Sequence, residues 1–495
     1  MPRLRWFLVI FVGSLAVFTT IEADTVRLKN GNTLSGTVVE EASDGQVTID
    51  IPGIGKITGS KNEIASIERA SSGSTTPLNP ASRDTLLQGD IVLQGDETNA
   101  AFWYQQAFSI SQEPSPAIRA ELTEILAKGW NGEHPALADF LKQNSAALIL
   151  LARGAQLAHC DFYNGQPPRT IGSMPYSVLK VHMLTQALVL QGRHDEQAGL
   201  GAKALERYLL TLQFGHHLSQ QSGSSIVETM VGIAVRAIAY EPLVQLVQRS
   251  SLKVEDYQKA LKELLMLKTE EVQLNRAVEI DFSQSHNTLA ESLQQEVKAG
   301  KAEALRAEQI LEAFDRLTKE YMGYFAEAYH QHTPELFTQK FDILQQQVKQ
   351  DVAATGRTMP EDVLHLFMKE DVVSSKDITP ELIAKMFLSN GLSDLSKGMQ
   401  NCWVGRARIN LLTGAMGIRL YELEHGAAPQ KLDELVPAYL PAVPDDPFDG
   451  APLRYVNEKG TWRLYSIGPD RKDQQGKQIL PVTLQGPGDM VLSSS

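Results

Sequence analysis

The sequence predicts a multidomain, mainly α-helical protein with a small N-terminal β-barrel, a large helical body and a C-terminal α+β module. Alternation of period two is confined to residues 24–69, and apolar positions at helical spacing recur from about 85 to 400. Pro, Gly and Asp then crowd Pro429–Gly476, where Pro, with its fixed φ and missing donor, rules out regular helix. At 495 residues the chain is too long for one core, because single cores stop growing near ~250–300 residues. With 43% hydrophobic and 21% charged residues it is not a disordered chain. A formal charge of -13 disfavours the phosphate neutralisation behind most nucleic-acid binding, so no nucleic-acid partner is expected.

Residues 1–23 read as a secretory signal peptide. Arg3 and Arg5 give a basic start, Trp6 to Phe18 is apolar, and Ala23 offers a cleavage site before Asp24. The apolar run is shorter than the ~20 residues of a spanning helix. An uncleaved anchor is the alternative, and the absence of Cys near the site disfavours a lipoprotein. No later segment reads as apolar enough to span, so the expected location is exported: periplasm or a comparable envelope space. Phe18-Thr19-Thr20-Ile21-Glu22 resembles a pilin leader junction, but a pilin places its apolar helix after that junction, whereas here it comes before. Cys160 and Cys402 are the only cysteines. In an oxidising compartment they could pair, and two buried free thiols are the alternative.

Residues 24–69 follow as short strands. Val26 and Leu28 precede the turn Asn30-Gly31-Asn32, Leu34 to Val38 precede Ser43-Asp44-Gly45, and Val47 to Ile51 alternate cleanly. Ile57, Ile64 and Ile67 close a pattern that fits a five-stranded barrel. The string Leu28-Lys29-Asn30-Gly31 with Leu34-Ser35-Gly36 resembles SH3-like or Sm-like small barrels. RNA binding is not carried over from the Sm-like case, because a basic patch with interleaved aromatics is missing. Residues 70–84 form a Ser-, Thr- and Pro-rich linker.

Residues 85–398 are expected to be all-helical. Ala100, Trp103, Tyr104, Ala107 and Phe108 share one helix face. Ser225 with Glu228 has capping-box spacing. Thr333-Pro334-Glu335 and Thr379-Pro380-Glu381 each place a cap residue, then Pro, then an acid against the helix dipole. Ala187-Leu188, Gly192, Ala198 and Ala204-Leu205 hint at helical hairpins of the tetratricopeptide kind, without a sustained period. Lys259 to Tyr329, rich in Glu, Lys, Gln and Leu, suits long paired helices.

The chain holds no Gly-x-Ser-x-Gly elbow, phosphate-cradling Gly-rich loop with Lys, or His-Glu-x-x-His pair. His159-Cys160-Asp161 holds nucleophile-type residues, but adjacency gives no triad geometry. His216-His217 and Tyr329-His330-Gln331-His332 have spacings that do not share a helix face. Ser222-Gly223-Ser224-Ser225 reads as a helix break with a cap, and Asp445-Asp446 between Pro444 and Pro447 reads as a turn.

The last module, residues 399–492, opens with a helix from Cys402 to Glu424 that Gly426 ends. Pro429, Leu432 and Pro444-Asp445-Asp446-Pro447 come next. A β-hairpin follows around Leu453–Val456 and Trp462–Ile467, with the turn Asn457–Gly460. In order and spacing, Leu420 to Gly426, Pro444 to Pro447, Leu453-Arg454-Tyr455 and Leu464 to Asp470 resemble the soluble domain of type II secretion pseudopilins, which are type IV pilin-like. The resemblance covers about a fifth of the chain and lacks the family's N-terminal helix and processing site. It implies a calcium loop, onto which Asp470 and Asp473 map, with Ser466 and backbone carbonyls as helpers. Gln474 and Gln475 depart from that pattern, and Arg471 and Lys472 add positive charge. A loop held only by hydrogen bonds is the alternative.

The expected function is an exported, non-enzymatic scaffold with an envelope protein as partner. The alternatives are an envelope hydrolase with its site in the helical body, and an accessory of a type II secretion apparatus.

Overall fold

The computed structural model describes residues 96–166, 174–221, 223–249, 252–267, 270–300, 302–356, 378–391, 395–458, 460–476 and 488–494, together with the backbone of five strands between 24 and 68. The expected signal segment 1–23 and linker 70–84 lie outside the described residues. The chain is mainly helical, with 13 helices and a small three-stranded sheet among the described residues. It divides into two compact units, residues 1–166 with 172–191 and residues 167–171 with 192–495.

In the first unit, strands β1 (Asp24–Leu28), β2 (Thr33–Glu41), β3 (Gln46–Ile51), β4 (Gly55–Ser60) and β5 (Ile64–Glu68) pair antiparallel in the order β4-β3-β2-β1-β5. Val26 of β1 stands opposite both Leu34 and Ile67, so the first strand joins its neighbour in sequence to the last strand. Helices α1 (Ala100–Ile110), α2 (Pro116–Lys128), α3 (Pro135–Gln143) and α4 (Ser145–Ala155) follow. Asn99 caps α1 by accepting from the Ala101 N–H, and its amide exchanges hydrogen bonds with the Asp161 backbone at 2.8 and 2.9 Å. The predicted apolar face of α1 is buried, and burial extends to every residue from Ala100 to Phe108. Helix α5 (Val178–Gln197) passes from this unit into the second.

The second unit contains α6 (Gly201–Gln220), α7 (Ile226–Arg249), α8 (Val254–Met266), α9 (Glu270–Lys298), α10 (Ala304–His330), α11 (Pro334–Ala354), α12 (Pro380–Gly391) and α13 (Leu395–His425). Two of the three predicted caps bond as expected, whereas Thr333 makes no side-chain cap bond to α11 and its hydroxyl donates to the Gln331 carbonyl instead. The Ser225 N–H donates to Glu228 and the Glu228 N–H to Ser225 Oγ, while Thr379 Oγ1 accepts from Leu382 N–H. Gly426, at φ 76°, ends α13 with its N–H on the Glu422 carbonyl.

Helices α6 and α7 touch backbone to backbone. A Cβ on Gly232 would stand 2.3 Å from the Gly215 carbonyl oxygen, so neither position admits a side chain. The expectation that no later segment reaches spanning hydropathy is corrected by α7. It is long and apolar enough by composition, with a mean hydropathy of 1.4, yet 67% of that window is buried in the fold. An apolar window buried to this extent belongs to a core helix.

Helix α13 is the second core helix. Every residue from Ala407 to Ile418 is buried, against α7, α8 and the sheet of β6 (Arg454–Glu458), β7 (Thr461–Ser466) and β8 (Met490–Ser493). The sheet is antiparallel in the order β6-β7-β8, and β6 with β7 is the predicted hairpin.

Candidate functional site

The polar residues of the C-terminal module gather into two clusters. The first centres on Asp446, which is fully buried. Its carboxylate accepts from Ser466 Oγ, Ile467 N–H and Arg454 Nη1 at 2.8 Å each, and from Phe448 N–H at 3.1 Å. Arg454 also grips Asp449 with both terminal nitrogens. Burial pushes the Asp446 carboxyl above its ordinary value, against the bonds from Ile467, Phe448 and Ser466 that favour its charge. For Arg454, the bond to Asp449 is the largest cause of a raised guanidinium pKa.

Asp445 ties the same turn to α13. It accepts from Arg406 Nη2 at 2.6 Å, and its carbonyl accepts from Asn410 Nδ2 at 2.7 Å. On the other side, His332 Nδ1 lies 2.5 Å from the Pro447 carbonyl, and Trp403 of α13 meets the His332 ring at a tilt and the Phe448 ring edge to face, with centroids 5.7 and 6.3 Å apart. The turn read in the sequence is thus also the joint between hairpin, α13 and the α10–α11 corner.

The second cluster holds the predicted calcium residues. Ser466 belongs to the first cluster through its bond to Asp446. Asp470 Oδ2 accepts from Gln474 Nε2 at 2.8 Å and from Gly488 N–H at 3.0 Å, and its Oδ1 from Lys472 N–H at 3.2 Å. Asp473 Oδ1 accepts from Gln475 N–H at 2.7 Å and from the Tyr465 hydroxyl at 3.3 Å.

A third acid, Asp489, joins them although the sequence reading missed it. It is buried and accepts from Gln474 N–H at 3.2 Å and from Gly476 N–H at 2.7 Å. Burial raises its carboxyl, and the charges of Asp473 and Asp470 push the same way. Its available signal was the Gly488-Asp489 pair just before the last strand. Gly468 and Gly488 touch, since a Cβ on Gly468 would meet the Gly488 carbonyl at 2.3 Å. Arg471 and Gln475 take positive φ at 55° and 64°; the Gln475 N–H reaches Asp473, whereas the Arg471 N–H closes on the Gly468 carbonyl. Among the described residues no three His, Cys, Asp or Glu side chains converge in the manner of a metal cluster.

The remaining sequence candidates are structural. Asp161 accepts from Tyr163 N–H and Gly165 N–H and so holds its own loop. Cys160 and Cys402 are free thiols, and burial raises both, Cys402 to about 12, far from thiolate reactivity. Burial, with Arg236 and His217 nearby, lowers the His216 imidazole to about 3, so it stays neutral.

Two small clefts lie in the second unit. One, between α7, α13 and the C-terminal sheet, is lined by Val244, Val247, Leu412, Ala415, Trp462 and Leu492 together with Gln248, Arg419, Ser493 and Ser494. The other contains Asp281 and Ser285 among Phe282, Phe314 and Phe387. Burial raises the Asp281 carboxyl to about 7, and its Oδ2 accepts from Ile226 N–H at 3.1 Å, at the start of α7. Asp281 therefore serves as a second cap of that helix. Neither a family model, nor a curated protein, nor a solved structure matches the chain.

Proposed function

We propose that the chain is an exported, non-enzymatic envelope protein that acts as a protein-interaction scaffold. In chain order it would carry an SH3-like or Sm-like barrel, a helical body and a pilin-like head. The observation that carries this reading is α13. Its Ala407–Ile418 stretch is enclosed by α7, α8 and the module's own sheet. That stretch of the helix offers no face for assembly with other copies, which favours a fixed head over a pilus subunit. The antiparallel strand order, with β1 between β2 and β5, supports the barrel.

A second reading concerns the loop. The charges of Asp473 and Asp470 reach Asp489 and help to raise its carboxyl, which supports a weak calcium site built on Asp470 and Asp473 and completed by backbone carbonyls. Ser466, committed to Asp446, contributes to the frame of that site rather than to its ligands.

The test is expression of the full chain, fractionation, N-terminal sequencing and crosslinking in the envelope. Expected are a start at Asp24, envelope location, crosslinks to other proteins and no cleavage of wall polymer. Intact Met1 in the cytosol, or wall-polymer cleavage by the purified chain, would overturn the proposal.

A further inference from the structure

We propose that His134 is a pH-sensitive latch that closes the α2–α3 hairpin when its ring is charged. The imidazole stands between two groups that can only accept. Nδ1 lies 2.5 Å from Glu121 Oε1 on α2, and Nε2 lies 2.5 Å from the Asn131 carbonyl in the connecting loop. A neutral imidazole has one N–H and one lone pair, whereas the imidazolium donates from both nitrogens. Only the charged ring satisfies both contacts. Loss of the proton sets a lone pair against an acceptor on one side, so one of the two contacts must open.

The surroundings favour the charged form. Facing the ring from α2 are Glu121 and, further off, Glu124, which is itself paired with Lys128 at 2.9 Å. Glu133 precedes the ring in the loop. The bond from Glu121 is the largest cause of a raised His134 pKa, opposed by burial and supported by Asn131 and Glu124. The ring also rests against Trp130, edge to face at 5.4 Å, so the latch carries an aromatic side chain with it.

The loop is able to respond. Gly129 and Gly132 hold positive φ of 90° and 75° with open space around both, and His134 is the residue before Pro135, where α3 starts. The side chain makes no capping bond to α3, so the ring is committed to the loop and to α2 rather than to its own helix. The latch holds below the ring's pKa and releases above it. For an exported chain, a consequence that rests on the export reading, the hairpin loosens as the surroundings turn alkaline.

The test uses the full chain with 13C-labelled histidine, the His134 signal being assigned by its loss in His134→Gln. His134 is expected to titrate above the ordinary value of about 6.5, and Glu121→Gln should lower that midpoint at least twofold in proton affinity. Hydrogen exchange of amides 129–138, corrected for the intrinsic rate, should rise at least threefold from pH 5.5 to 8.5. That rise should vanish in His134→Gln, whose fold is checked by circular dichroism. A ring titrating at or below the ordinary value, an unmoved midpoint in Glu121→Gln, or an equal exchange rise in His134→Gln would overturn the latch. The Glu121→Gln arm stands if the histidine variant does not fold.

Discussion

Asp446 and the pair Asp470 and Asp473 are the same side chain in two settings of one module. Asp446 is fully buried and meets a guanidinium, a hydroxyl and two backbone N–H groups drawn from three segments. Asp470 and Asp473 lie nearer the surface and accept mostly from N–H groups within the loop itself, or from Gly488 across it. The first setting is a joint, since removing the carboxylate strands donors that have no water to turn to. The second is a cradle, since solvent can replace any one bond. Burial and the origin of the donors, rather than the residue type, separate an acid that holds the fold from one that is available to a ligand.

The largest break in this comparison should come from Asp446→Ala. It removes the acceptor of Ser466 Oγ and of the Ile467 and Phe448 N–H groups beside a buried void, while Arg454 keeps Asp449, at a cost of about 3–5 kcal/mol, since each stranded buried donor costs about 1–3 kcal/mol. The expected readout is a lowered unfolding midpoint of the full chain, with Asp449→Ala, an exposed acid on the same arginine, costing clearly less. Equal costs for the two would mean that burial is not what distinguishes them.

Asp281 sharpens the contrast, because it is sheltered without a cation and has Glu228 for a neighbour. Its folded pKa of about 7 stands above the ordinary carboxyl value of 3.8, so the native state keeps its proton longer than the unfolded chain. The associated stability is fully present below the ordinary value and is lost as pH rises through about 7. Asp281→Asn, which retains an acceptor for the Ile226 N–H, should therefore stabilise the protein at pH 8 by about 1–3 kcal/mol and have little effect at pH 4. Denaturant midpoints at the two pH values decide it, and a gain confined to low pH would refute the assignment.

The smallest effect belongs to the loop. A site of two or three carboxylates with Arg471 and Lys472 close by should bind calcium on the order of 10⁻⁴–10⁻³ M. At millimolar calcium, mass action then stabilises the native state by about 0.4–1.4 kcal/mol. Thermal midpoints of the full chain with calcium, with magnesium and with chelator read this out, and Asp470→Asn should abolish the calcium gain. No calcium-specific shift would leave the loop as a hydrogen-bonded frame.

Much of the helical framework is legible in the sequence. Thr379 and the Ser225–Glu228 pair announce their helices, Gly426 announces an end, and Arg454 to Ser466 announce a hairpin. Each signal acts within one turn or one strand pair. The hub role of Asp446 is not legible, because Ser466 and Ile467 are 20 and 21 residues away. Asp489 escaped for the same reason, its donors at Gln474 and Gly476 lying 15 and 13 residues upstream. The same holds for α7, where composition alone reads like a membrane span and only the packed neighbours show a core helix.

By itself, then, the sequence determined where helices start and stop, which stretch abandons helix for loops and short strands, and which acids lie in that stretch. Periodicity, caps and turn residues act through bonds between near neighbours, which chain order already supplies. Only the tertiary structure decided that Gly215 and Gly232 meet, that α13 is enclosed, that Asp446 is a joint, and that Asp489 joins Asp470 and Asp473. Those outcomes depend on which distant donors and surfaces converge, and that convergence is a property of packing.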